Sequence, residues 1–278
     1  FRDDPDLRVA IEAARGLGEL GQPEAVESML AVYDTEDTPW PLKVALVEAV
    51  GRLPRAASLP DLRQRYGSER GRLRQDLLYA LHGLAHGEAG PEWTIEAYDT
   101  WYAQAGTDHA PTREGVEAWR SGHAMHQIQV HAVGDFYGLA ILSDRPVFVL
   151  DTSASMRGAK IENLKIQLEQ TLSAFPGTAR FNIADFGGTI NLLQPQMLGG
   201  DRRMEAFHLW TQYRGQLTLG TRMFDAMELA ATVPEMDTAI LFTDGAPIGG
   251  QFQHTDRISA AWKVYTRYCP IALQGVVF

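Results

Sequence analysis

The chain has 278 residues, 45% hydrophobic and 22% charged, with 35 acidic against 25 basic side chains and a formal net charge of −10. This is length and apolar content for two soluble domains, and the acidic balance disfavours nucleic acid or an anionic membrane surface as a partner. The single cysteine, Cys269, excludes an intrachain disulfide and a thiolate metal cluster, and no apolar run approaches the roughly 18 residues that a membrane span needs.

The N-terminal 105 residues hold 11 basic and 18 acidic side chains, so the acidity belongs mainly to them. They contain a repeat: Ala13-Ala14-Arg-Gly-Leu17-Gly-Glu-Leu20, Leu46-Val47-Glu-Ala-Val50-Gly-Arg-Leu53 and Leu77-Leu78-Tyr-Ala-Leu81-His-Gly-Leu84, with Leu17, Val50 and Leu81 at spacings of 33 and 31. Apolar residues at helical intervals, broken at Gly21, Pro23, Pro54 and Pro60, read as stacked helix pairs, with second helices at Pro23 to Tyr33 and Pro60 to Tyr66. The segment resembles HEAT repeats; an irregular helical bundle is the alternative. Arg52, Arg55, Arg63, Arg65, Arg70, Arg72 and Arg74 cluster here. They make either an anion-binding stripe on a concave face or a solvated surface paired with neighbouring acids, and the lack of interleaved aromatics favours the second.

Trp93, Ile95, Tyr98, Trp101 and Tyr102 make an aromatic helix face that seals the end of the solenoid. Residues 106–134 read as a linker, polar and broken by Gly106, Pro111 and Gly115, with an alternating strand at Ile128 to Val133 and a bend at Gly134 to Gly138. His123, His126 and His131 mix helical and strand phases and read as a scattered surface set rather than a Zn²⁺ site.

From Pro146 onward strands and helices alternate, as a doubly wound α/β fold requires. Strands are expected at Pro146 to Leu150, Ala179 to Phe186, Ile190 to Leu193 with Met197-Leu198 as an edge, Asp237 to Thr243 and Ile271 to Phe278. Helices are expected at Lys160 to Phe175, Arg202 to Tyr213, from Met223, and at Asp256 to Tyr268. Cys269, beside the last strand, reads as a small buried hydrophobe. The first of these strands ends in Asp151-Thr152-Ser153-Ala154-Ser155-Met156. Oxygen ligands at the carboxyl end of a buried strand sit where open α/β sheets bind ligands, and a set without sulfur or imidazole suits Mg²⁺ or Mn²⁺. A turn capping the next helix accounts for the same residues, and the stretch alone does not choose. Gly220-Thr221 before an amphipathic helix, and Thr243-Asp244-Gly245 ending another buried strand, each deliver a further oxygen to a loop after a sheet element.

The order Asp-x-Ser-x-Ser, Gly-Thr, Thr-Asp-Gly resembles the metal-ion-dependent adhesion site of von Willebrand factor A domains. Ala154 and Leu219 stand where those domains often have Gly, and neither change removes a ligand oxygen. The resemblance implies an Mg²⁺ or Mn²⁺ ion held by Asp151, Ser153, Ser155, Thr221 and Asp244, with a partner's Glu or Asp completing its coordination. It thus implies a non-enzymatic, cation-dependent protein-binding module, for adhesion or scaffolding. The whole looks like bacterial proteins that pair HEAT-like repeats with a von Willebrand A domain: a helical solenoid over 1–105, a linker over 106–134 and a Rossmann-like sheet with helices on both faces over 135–278. One more strand and a closing helix are expected after Phe278, so the α/β domain reads as C-terminally truncated. Two rivals exist. The Ro ribonucleoprotein family also joins helical repeats to this domain, which would mean RNA binding; a metal-dependent phosphotransferase with an aspartyl nucleophile is the other, although it needs a basic residue and a second acid that the motif does not supply. The compartment stays open, with an extracytoplasmic location favoured over the cytoplasm.

Overall fold

Apolar side chains recurring at helical spacing need a partner surface, and in the N-terminal half that surface is the next helix. The computed structural model describes residues 5–124 and 132–277, and the chain divides into two compact units, 1–131 and 132–278. The first is helical: α1 (Pro5–Leu20), α2 (Ala25–Tyr33), α3 (Trp40–Val50), α4 (Ser58–Ser68), α5 (Gly71–Leu84), α6 (Ile95–Trp101) and α7 (Arg113–Gly122). The odd-numbered helices pack successively, α1 on α3, α3 on α5 and α5 on α7. One small residue per repeat permits this. A Cβ on Gly18 would stand 2.9 Å from the Ala49 Cα, one on Gly51 2.7 Å from the Ala80 Cβ, and one on Gly83 3.3 Å from the Trp119 ring.

The even-numbered helices are tied by charge. Arg55 reaches Glu27 at 2.5 Å, Arg65 pairs with Asp34, and Arg63 grips Asp99 at 2.6 and 2.8 Å. Within their own turns Arg52 pairs with Glu48 at 3.2 Å and Arg72 with Asp76 at 3.3 Å. Most of the arginine cluster is therefore paired, with acids largely from neighbouring helices; the pairs range from partly exposed to the largely covered Arg72–Asp76. Exposed pairs of this kind contribute up to about 1 kcal/mol each. The aromatic helix α6 buries Tyr98 and Trp101 and ends in a wide turn over Tyr102–Gly106, where Tyr102 stacks on Tyr98 at 5.8 Å.

The stretch expected to be a linker contains α7. Thr112 caps it, accepting the Gly115 N–H at 3.1 Å, and Val116 and Trp119 are buried, with Trp119 against α5. A cap and one apolar pair at helical spacing outweigh the flanking Gly and Pro breakers. His123 stacks on Trp119 at 4.9 Å; His126, His131 and residues 128–131 of the expected strand lie outside the described residues.

In the second unit the order along the main sheet is β5-β4-β3-β7-β8, made of β3 (Pro146–Asp151), β4 (Arg180–Phe186), β5 (Ile190–Leu192), β7 (Thr238–Thr243) and β8 (Ala272–Val277). β3, β4, β7 and β8 are parallel, β5 is an antiparallel edge, and the short β6 (Leu198–Gly199) pairs with the start of β4. All six residues of β3 are buried, as a central parallel strand requires. Phe148 and Leu150 join one core with Leu164, Leu168 and Leu172 of α8 (Ala159–Ala174) and with Phe207 of α9 (Arg203–Leu209). α10 (Met223–Ala230) contacts β3, β4 and β7, so helices cover both faces of an α/β sheet. Residues 134–138, expected only to bend, open a hairpin of β1 (Gly134–Phe136) and β2 (Leu139–Ile141). It turns through Tyr137 and Gly138 at φ of 54° and 79°. β8 follows α11 (Thr255–Tyr265) and alternates in exposure, and Cys269 beside it is partly exposed rather than buried. Phe278 lies outside the described residues.

The close α1–α3 approach gives a paired test, because Gly18 faces a backbone atom while Gly16, in the same helix, has nothing within 4 Å of its ideal Cβ. Gly18→Val should destabilise the helical unit by about 1–3 kcal/mol, whereas Gly16→Ala should stabilise it by about 0.5–1 kcal/mol. Urea unfolding followed by helical circular dichroism measures both. Equal effects of the two substitutions would show that the helices do not meet at Gly18.

Candidate metal centre

Asp151 ends the central strand with none of its surface exposed, so its carboxylate must be satisfied from within the fold. One oxygen accepts the Ser153 N–H at 2.8 Å, the turn expected of an Asp before a Ser, and the other accepts the Thr243 hydroxyl at 2.7 Å. Thr243 closes β7, whose register sets Phe242 opposite Leu150 and so Thr243 beside Asp151. The Thr152 backbone is held on both sides, its N–H by the Phe186 carbonyl at 2.7 Å and its carbonyl by the Thr218 N–H at 3.0 Å.

A turn pinned this way presents Ser153 and Ser155 with their hydroxyl oxygens 2.8 Å apart. Ser155 donates to Asp244 Oδ1 at 2.9 Å, and Lys160 Nζ, in the first turn of α8, reaches Asp244 Oδ2 at 2.5 Å. The Asp244 side chain is nearly buried, at 1% accessible, while that of Lys160 is 44% accessible.

Thr221 arrives from a third loop and is buried. Gly220 before it has φ +100°, and Thr221 exchanges both main-chain hydrogen bonds with Ile248, at 2.8 and 3.2 Å. The loop lies on Gly187-Gly188: the Gly188 N–H donates to the Thr218 hydroxyl at 2.8 Å, and a Cβ on Gly188 would strike the Leu219 carbonyl. The Leu219 side chain itself is 85% exposed, so the departure from Gly at this position does not fill the centre. Behind the loop, Asp225 pairs with Arg222 at 2.7 Å and accepts the Gln251 N–H at 2.9 Å, holding the segment after β7 against α10.

Four of the five sequence-derived residues, Asp151, Ser153, Ser155 and Asp244, therefore form one hydrogen-bonded cluster. Thr221 stands three residues from Thr218, which bridges to Ser153; its hydroxyl bonds to no side chain of the cluster among the described residues. Sequence reading gave Thr243 only as part of the Thr-Asp-Gly motif, with no role toward Asp151, and missed Lys160. Thr243 carried a signal in its place at the end of a buried strand, and Lys160 is the basic residue nearest the motif that opens the next helix. Among the described residues no three His, Cys, Asp or Glu side chains converge as a metal group. Any cation here must use hydroxyl and carboxylate oxygens, a donor set that fits Mg²⁺ or Mn²⁺ and not Zn²⁺.

A family model described as HEAT repeats matches residues 1–82, and one described as von Willebrand factor type A domain matches residues 147–246, within the second unit. Among solved structures the chain is similar to the von Willebrand factor type A protein from Catenulispora acidiphila, at 19% identity and a TM-score of 0.39. That match covers 50% of this chain and 33% of the other, so the chain spans about a third of that protein's length. No curated protein matches the chain.

Removing the Thr243 hydroxyl leaves a buried carboxylate oxygen without its donor. Thr243→Val should therefore destabilise the α/β unit by about 1.5–3 kcal/mol, while Ser155→Ala, at an exposed position, should change stability by less than about 1 kcal/mol. Denaturant unfolding of both variants checks this. A neutral Thr243→Val would mean that Asp151 does not depend on that hydroxyl.

Proposed function

We propose that the second unit is a protein-interaction module whose contact is made through a divalent cation, Mg²⁺ or Mn²⁺. The observation that carries it is the convergence of Ser153, Ser155 and Asp244 beside a fully buried Asp151 at the carboxyl end of the central strand. Ser153, Ser155 and Thr221 would hold the ion through their hydroxyls. Asp151, both of whose oxygens are engaged, would orient the turn, and Asp244 would supply charge. When bound, the ion supplies an electrophilic centre able to accept a carboxylate oxygen from a partner. Leu219 and Ile248, 85% and 69% exposed on the flanking loops, would add apolar contact around that carboxylate. Adhesion and scaffolding both use such a contact.

The phosphotransferase rival gains a basic residue in Lys160, but Asp151 has no exposed surface and each of its oxygens already accepts a hydrogen bond, so it is not presented to a substrate as a nucleophile. The RNA-binding rival loses its support in the arginines, most of which are paired with acids. No helix among the described residues is long and apolar enough to cross a membrane. An extracytoplasmic location remains part of this proposal.

Titration calorimetry should detect Mg²⁺ or Mn²⁺ at millimolar ion or below, with Zn²⁺ not preferred and binding weakened about tenfold or more by Thr221→Ala. Lys160→Met, which frees Asp244 Oδ2 from its ammonium partner, should tighten the same binding by about tenfold. No heat with either ion in the folded chain, or weaker binding in Lys160→Met, would contradict the proposal.

A further inference from the structure

Three arginines that bear no relation to the α/β centre line one open cleft of about 600 Å³ within the helical unit: Arg52 beyond α3, and Arg113 and Arg120 on α7. Gly18 of α1 and Tyr79 of α5 complete its walls. Two of the arginines are matched. Arg113 bonds Glu117 at 2.8 Å and reaches the Glu19 carbonyl at 3.5 Å, and Arg52 pairs with Glu48 at 3.2 Å. Arg120 is not. Its guanidinium lies 4.9 Å from the centre of the Tyr79 ring, and its Nη1 is buried without a hydrogen-bond partner among the described residues. The other acid lining the cleft, Glu19, has its side chain exposed at the rim.

An arginine does not shed its proton near neutral pH, so a half-buried guanidinium with no hydrogen-bonded carboxylate of its own costs stability that an anionic ligand would recover. Burial first, and then the adjacent Arg52, press the Arg120 pKa below the ordinary guanidinium value, while Tyr79 and Glu48 oppose the shift without cancelling it. The guanidinium lies over the Tyr79 ring, a cation–π contact that helps hold it in place, and a planar fork of N–H donors is shaped for two oxygens of one anion. A cleft of this volume is in the range that holds small organic molecules.

The geometry points to an oxyanion site in the helical unit: a small molecule carrying a phosphate or carboxylate group binds in this cleft, its oxygens taken by Arg120 and Arg52. The site is independent of the cation centre and takes a ligand of opposite charge.

The test is calorimetric titration of the full chain with inorganic phosphate and, separately, with succinate, at constant ionic strength in chloride. One saturable site is expected for at least one of the two probes. Tighter binding of phosphate marks the ligand as a phosphate ester, and tighter binding of succinate marks it as a carboxylate. Arg120→Gln should weaken the preferred probe about tenfold or more and, since it removes an unmatched charge, should melt in chloride no lower than the parent chain. Arg52→Gln should weaken the same probe and serves where Arg120→Gln does not fold. Absence of binding by both probes, or parental affinity in the folded variants, would overturn the site.

Discussion

A carboxylate with no exposed surface, at the end of a strand buried on both faces, is the constraint on which the second unit turns. Asp151 is tolerated there because two donors reach it, one from the turn that follows and one from the neighbouring strand β7. Each donor fixes geometry. The Ser153 N–H sets the turn that brings the two serine hydroxyls together, and Thr243 ties the end of β7 to the end of β3. A slip of one residue in that register would put Phe242 or Asp244 where the hydroxyl must be and would also turn the strand's side chains to the wrong faces. Asp244 comes next after Thr243, so the bond that satisfies Asp151 also delivers the second carboxylate to Ser155 and Lys160.

The third loop is positioned by packing more than by charge. Thr218 reaches Thr152 by its main chain and Gly188 by its hydroxyl, and Gly188 has no room for a side chain beneath the Leu219 carbonyl. The polar cluster then rests on a sheet whose faces are filled by Phe148, Leu150 and the α8 leucines on one side and by α10 on the other. Function here depends on loops, and their accuracy is inherited from the strands they follow.

Much of this was legible in the sequence. The central strand, the helix at α8 and the strand ending in Asp244 carry long apolar runs or helical periodicity, and the motif residues sit at their ends, where alternating strands and helices place a site. What escaped reading has physical causes. Thr243 looks like one more β-branched strand residue until the pairing of β3 with β7 sets it against Asp151. Lys160 is exposed like any surface lysine until α8 directs it at Asp244. Helix α7 was hidden because Pro111 and Gly115 resemble breakers, although Thr112 caps the helix and Trp119 anchors it on α5. The Tyr137-Gly138 turn, with both residues at positive φ, lacked the usual Asn-Gly signature of a primed turn. In the arginine-rich segment pairing with neighbouring acids was the favoured reading, but the partners were not legible along the chain, since Glu27, Asp34 and Asp99 lie in or beside other helices.

The helical unit follows a different rule from the sheet. Its odd-numbered helices touch through Gly18, Gly51 and Gly83, and its even-numbered helices through ion pairs, so stacking costs one glycine per repeat and leaves most of the clustered arginines paired with acids. Arg120 on α7 is an exception. For the second unit, the decisive measurement is anomalous diffraction from crystals of the chain grown with Mn²⁺. A single peak within about 2.2 Å of the hydroxyl oxygens of Ser153, Ser155 and Thr221 is the expected result. An ordered α/β unit with no peak at those oxygens, or with Mn²⁺ bound only elsewhere, would contradict a cation-centred function.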